Sequence, residues 1–208
     1  MGRKSHKAKA MTPCLTFPHH WTAEILTAAP LIAPARQFIY PQQIAGEEDA
    51  LARGARQLLI RPQTGGAFLA TCALGFTDPT MPTGLYSCPN PNDLCAVAGG
   101  YAYIIDTTRP DHSTHIPLKP VAAIERAPTQ NILLFAGFHS IIAWGPQGLA
   151  WQTERLSWEG IRITGIEGNT LSGTGWNLLT DREVPFTVDL LTGHHQGGGF
   201  TQPSTQKS

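Results

Sequence analysis

Residues 132–200 form an unbroken succession of short apolar or alternating runs separated by turn residues, a pattern that leaves room for little besides antiparallel β-structure. Residues 131–136 (Asn-Ile-Leu-Leu-Phe-Ala) are apolar after the first, as expected of a strand buried on both faces. Gly137 ends that run. Residues 140–144 make a second one, stopped by Gly145-Pro146-Gln147-Gly148, where proline fixes φ and glycine accepts positive φ. Leu149-Ala150-Trp151 resumes at once. From Ile161, apolar and polar side chains alternate with the period of a half-buried strand. Gly168-Asn169 then supplies a two-residue hairpin loop that returns the chain through residues 170–176. Residues 184–190 make one more strand. Pro185 within it cannot donate to a ladder, so it belongs at an edge or at the strand's start.

The upstream half is less regular. Residues 37–40, 56–61 and 66–76 read as strands, the last as one long strand or a pair. Residues 47–53 predict one short helix, with acids at its start, Arg53 at its end and Gly54 as the stop. Residues 77–83, 88–93 and 107–115 are polar loops, the second carrying the strong turn order Pro-Asn-Pro-Asn. The expected organisation is a poorly ordered basic head (1–30), a single β-rich domain (31–200) and a flexible polar tail (201–208).

A repeat runs through this pattern. Gly100-Tyr101-Ala102-Tyr103-Ile104-Ile105-Asp106 lies over Gly137-Phe138-His139-Ser140-Ile141-Ile142-Ala143 at an offset of 37 residues, each with glycine four residues before an Ile-Ile pair. Residues 186–189 and 67–70 supply a third and a fainter fourth copy. A spacing near ~40 residues is the size of a four-stranded blade. Val188-Asp189-Leu190-Leu191-Thr192-Gly193 is similar to the Asp-x-x-Thr-Gly corner of quinone-cofactor propellers. The chain thus resembles β-propeller blade repeats of the WD40 or quinoprotein kind, although it has no Trp-Asp dipeptide. That resemblance implies a small propeller-like meander. The residues themselves equally admit a curled sheet or a sandwich.

Composition narrows the function. The 21 glycines and 17 prolines fit many short elements joined by turns. Charged residues make up 14%, against about 25% in an ordinary domain. The formal net charge is zero, but Arg3, Lys4, Lys7 and Lys9 crowd the first ten residues and leave the rest mildly acidic. A mildly acidic body argues against a nucleic-acid groove. No apolar segment is long or unbroken enough for a signal sequence or a membrane span, so a cytoplasmic protein is the expectation. Four cysteines are too few for a disulfide scaffold. The six-residue gap between Cys88 and Cys95 is not that of a zinc knuckle, and leaves a free pair or a loop disulfide open.

Two groups of residues carry candidate chemistry. Trp158, in the turn-like Ser157-Trp158-Glu159-Gly160, is the tryptophan expected at the surface, whereas Trp144 and Trp151 are expected in the core. Arg155 and Glu159 stand beside Trp158 as polar anchors, and Tyr101 and Tyr103 extend the aromatic set. Separately, Asp106, Asp111, His112 and His115 crowd one loop, and imidazole with carboxylate is an ordinary metal-ligand set. No assembly of nucleophile, base and orienter is legible, and no cofactor motif. The leading expectation is a non-catalytic β-rich module binding an unidentified protein or small ligand through its loops. The alternative is a metal-assisted hydrolase using residues 106–115.

Overall fold

The computed structural model describes residues 14–28, 30–41 and 50–200. These form sixteen strands and no helix. The strands make four sheets of four. The first holds β1 (Trp21–Ile25), β2 (Arg36–Tyr40), β3 (Ala55–Pro62) and β4 (Phe68–Ala73) in the order β1-β3-β4-β2, with β2 parallel to β4. The second is a meander of β5 (Gly84–Ser87), β6 (Asp93–Ala98), β7 (Tyr101–Asp106) and β8 (Ser113–His115). The third runs through β9 (Ala123–Ala127), β10 (Ile132–Ala136), β11 (Ile141–Gly145) and β12 (Gly148–Gln152). The fourth runs through β13 (Ile161–Glu167), β14 (Thr170–Asn177), β15 (Arg182–Asp189) and β16 (His195–Gly197). The segments aligned in the sequence at 67–70, 100–106, 137–143 and 186–189 all fall on the third position of their sheet: β4, β7, β11 and β15.

Strand alternation turns these sheets into a serial stack. Leu94, Ala96 and Ala98 of β6 pack with Leu58, Ile60 and Phe68 of the first sheet. Their neighbours Cys95 and Val97 point the other way, into a second core with Leu133 and Phe135 of β10. The intervening β10 residues Ile132, Leu134 and Ala136 enter a third core with Leu171, Phe186 and Val188 of the fourth sheet. The two inner sheets are thus apolar on both faces, which explains why β10 reads as an unbroken apolar run. Each fully buried Leu or Phe there contributes about 1.5–3 kcal/mol. The fourth sheet faces solvent on one side, and β14 alternates accordingly.

Polar contacts fasten the stack at its corners. The Tyr103 hydroxyl donates to the Ala73 carbonyl at 2.8 Å, and the Tyr40 hydroxyl to the Pro110 carbonyl. Trp151 of β12 donates its indole N–H to the Leu190 carbonyl at 2.8 Å. Its ring lies over Gly193, where φ is +75° and an added Cβ would stand 2.8 Å from the indole. Only glycine satisfies both conditions there.

Several expectations are corrected. The head assigned to 1–30 contributes β1 to the first sheet, and Phe17 is buried in the second core. Residues 1–13 and the tail 201–208 lie outside the described residues. The helix expected at 47–53 is absent: residues 50–53 form a turn, closed by the Gly54 N–H on the Leu51 carbonyl at 2.8 Å, and 47–49 lie outside the described residues. A stretch this short does not offset the cost of helix nucleation. Residues 66–76 give the single strand β4. Pro185 stands neither at an edge nor at a strand's start: it lies midway along β15, between β14 and β16, and is paired with Thr174. Its carbonyl, which accepts from Gly198, shows that its ring nitrogen faces the side where β16 has already ended. All four cysteines are free thiols, three of them buried. Among the described residues no helix is long and apolar enough to cross a membrane.

Candidate ligand cleft between the second and third sheets

The loops that follow β5, β7 and β11 leave an open cleft of about 640 Å³. One wall comes from the second sheet: Asn90 and Asp93 at the start of β6, Asp106 at the end of β7, and residues 109 and 111–114 beyond it. The other is Trp144 with the turn Pro146-Gln147-Gly148.

Turn chemistry builds the first wall. The Asn90 side-chain oxygen accepts from the Asn92 N–H at 3.1 Å, and the Asn90 carbonyl from the Asp93 N–H at 3.0 Å. The Asp106 carboxylate accepts from the Thr108 N–H at 2.9 Å, the Thr108 hydroxyl at 2.7 Å and the Arg109 N–H at 3.2 Å. Its second oxygen accepts from Arg109 Nε at 2.9 Å. Thr107 clips the two turns together, since its N–H and hydroxyl both donate to the Asn92 carbonyl.

The hairpin between β6 and β7 sets Asp93 directly across from Asp106. Gly99 and Gly100 make its two-residue turn, both with positive φ. The two carboxyls are driven apart in acidity. Burial, joined by the negative charge of Asp106, pushes Asp93 up to about 6 against weaker opposition from Asn90 and Arg109. Burial also acts to raise Asp106, but the hydrogen bonds from Thr108 and Arg109 outweigh it and hold this carboxyl below the usual range.

These shifts predict a stability profile. Folded Asp93 keeps its proton to about pH 6, whereas the unfolded chain releases it near about pH 4. Native protein therefore binds more protons across that window, and Asp93 makes stability fall as pH rises through it. Asp93→Asn removes this titrating group. We expect the variant to be more stable at pH 7 by on the order of 1 kcal/mol, allowing for partial solvent screening. Its stability should also decline less between about pH 4 and 6. Urea unfolding at stepped pH tests this; identical profiles for the two proteins would refute the assignment.

The structure distributes the sequence candidates unevenly. Asp106, Asp111 and His112 line the cleft, with the His112 Nε2 3.5 Å from the Asp111 carboxylate. His115 is turned to the other face of the sheet, its ring 4.9 Å from that of Tyr101 and 5.3 Å from that of Tyr103. The four residues therefore do not converge, and among the described residues no group of three or more His, Cys, Asp or Glu side chains is placed to hold a metal. Tyr101 and Tyr103 lie in the first core, remote from Trp158. Trp144 and Trp151 are both buried.

Trp158 and Arg155 do meet. The Arg155 guanidinium lies 4.9 Å from the Trp158 ring and 4.7 Å from the Phe200 ring, and it donates to the Ser157 and Trp158 carbonyls at 3.0 Å. Trp158 is half-buried under that layer, so this group clamps Phe200 onto the third and fourth sheets. Glu159 is exposed beside it and lines a small separate groove with Arg162, Thr174 and Glu183.

Asp93, the residue with the most perturbed carboxyl, was not among the sequence candidates. A signal existed: counting outward from Gly99-Gly100 as a two-residue turn places Asp93 opposite Asp106.

No family model matches the chain, and no curated protein matches it.

Proposed function

We propose that this chain is a non-catalytic β-rich binding module whose ligand sits in the cleft between the second and third sheets. The observation that carries this reading is the convergence there of three separate turns, after β5, β7 and β11, on one open space about 640 Å³ in volume. Rigid sheets carrying polar loops are the usual setting of a binding site. An acid–base enzyme is less well supported, because Asp106, the carboxyl facing Asp93, is already held by Thr108 and Arg109.

We also propose that the four sheets are blade-type repeats. In support, all four sequence echoes fall on third strands, and the Asp189 corner has Trp151 docked on its Gly193. The Asp189 carboxylate accepts from the Leu191 and Thr192 N–H groups at 2.8 and 3.0 Å, and Asp106 holds the corresponding corner of the second sheet in the same way. The buried free thiols fit a cytoplasmic location.

The cleft is tested by titrating the isotope-labelled protein with a mixed small-molecule library and mapping shifted amide signals. Shifts concentrated at Asp93, residues 106–114 and residues 144–148 are expected. Binding that maps only to another surface, or no binding at all, would overturn the reading.

A further inference from the structure

His139 stands against Arg155, the residue that joins Trp158 to Phe200. It lies in the turn between β10 and β11, and its ring is partly exposed. Its Nδ1 is 3.3 Å from a terminal nitrogen of Arg155 and 3.3 Å from the Ser157 carbonyl oxygen. Arg155 Nε donates to that same carbonyl at 3.0 Å. One ring nitrogen is thus within reach of a cation and of an acceptor that the cation already uses.

Protonation changes both contacts in one direction. A neutral ring with its hydrogen on Nε2 offers Arg155 a lone pair at Nδ1. A protonated ring offers none. It sets a positive charge beside the guanidinium and competes with it for the Ser157 carbonyl. β10, β11, β12 and β14 carry no charged residue that could offset this. The facing segment holds Glu154, Arg155 and Glu159, and the neighbouring β14–β15 turn leads through Asp181 to Arg182. On the other side Lys119 is drawn to the Tyr101 ring, 5.8 Å away. Of these groups only Arg155 lies within hydrogen-bond distance of the His139 ring.

Arg155 is also what fastens Phe200. Its guanidinium lies 4.7 Å from the Phe200 ring and 4.9 Å from the Trp158 ring. The backbone of residues 198–200 adds three bonds: Gly198 N–H to the Pro185 carbonyl at 3.0 Å, and the Gly199 and Phe200 N–H groups to the Leu156 carbonyl at 2.8 and 3.3 Å. We propose that His139 is a pH-sensitive latch: its protonation drives Arg155 out of the layer and releases the strap of residues 198–200, baring the aromatic surface of Trp158 that the neutral form keeps covered. The closed form binds fewer protons than the open one, so closure strengthens as pH rises and weakens as pH falls. Asp93 acts on the whole fold in the opposite sense, so the two effects separate by direction as well as by place.

The test is amide hydrogen exchange of the full chain at steps from about pH 8 to about pH 5, with each rate corrected for the intrinsic pH dependence of exchange. Protection of Gly199 and Phe200 should fall about fivefold or more on acidification, while β6 and β7 keep theirs. NMR cross-peaks between the Phe200 and Trp158 rings should weaken over the same steps, in parallel with the His139 ring signals. His139→Asn keeps a neutral acceptor near the place of Nδ1 and takes up no proton there, so its strap should stay protected throughout. Arg155→Met should leave the strap poorly protected at every pH. Constant protection of Gly199 and Phe200 in the unmodified chain would overturn the latch. So would the same loss of protection in His139→Asn, a fully protected strap in Arg155→Met, or opening at a pH where the His139 ring signals do not move.

Discussion

Trp151→Ala is expected to cost about 3–5 kcal/mol and to loosen the fourth sheet from the third. Trp151 leaves the third sheet from β12, packs into the core shared with Leu171, Phe186 and Val188, and covers Gly193. Its indole N–H also satisfies the Leu190 carbonyl at the corner that follows β15. Removing it opens a cavity and withdraws a buried donor at one stroke. Trp151→Phe separates the two effects: most packing is kept, and the loss should be about 1–2 kcal/mol. Urea unfolding gives the magnitudes, and hydrogen exchange gives the location. Amides of β14 and β15 should lose protection more than those of β6 and β7. An alanine variant with an unchanged unfolding midpoint would show that the contact does not fasten the two sheets.

The second large effect comes from neighbours on β10 that point to opposite cores. Leu134 and Phe135 are both fully buried, yet Leu134 packs toward the fourth sheet and Phe135 toward the second. Leu134→Ala is expected to cost about 2–5 kcal/mol and Phe135→Ala about 3–5 kcal/mol. Their signatures should differ more than their magnitudes. Loss of Phe135 should raise exchange in β6 and β7 and loosen the walls of the cleft, and loss of Leu134 should raise it in β14 and β15. Indistinguishable exchange patterns would mean that the stack opens only as a whole, and that its three cores are not separable units.

Much of the strand content was legible because it is written in local periodicity. The apolar run of β10 and the Gly168-Asn169 hairpin each depend on residues within a few places of one another. β1 was missed because Trp21–Ile25 is short and isolated, and it becomes a strand only by pairing with β3, some forty residues later. β6 was not legible because it follows the Pro-Asn-Pro-Asn turn directly and is defined as a strand by its pairing with β7 across the Gly99-Gly100 turn.

The candidate site was legible only in part. Sequence proximity grouped Asp106, Asp111 and His112 in one loop, but it could not say which face each side chain would take. His115 stands one strand register away and turns into the aromatic packing of Tyr101 and Tyr103. Trp158 looked available because it sits in a turn, yet Phe200, from far along the chain, and its neighbour Arg155 cover it.

By itself the sequence determined that this chain is all-β, where most of its turns fall, and which strands are apolar on both faces. These follow from steric preferences of single residues and from the two-residue period of the strand. Only the tertiary structure decided which sheet packs on which, that Asp93 would face Asp106, and that three loops would share one cleft with Trp144 as a wall. Those outcomes depend on how distant surfaces fit together once buried, and burial is also what moves the Asp93 carboxyl, so no local pattern could have announced them.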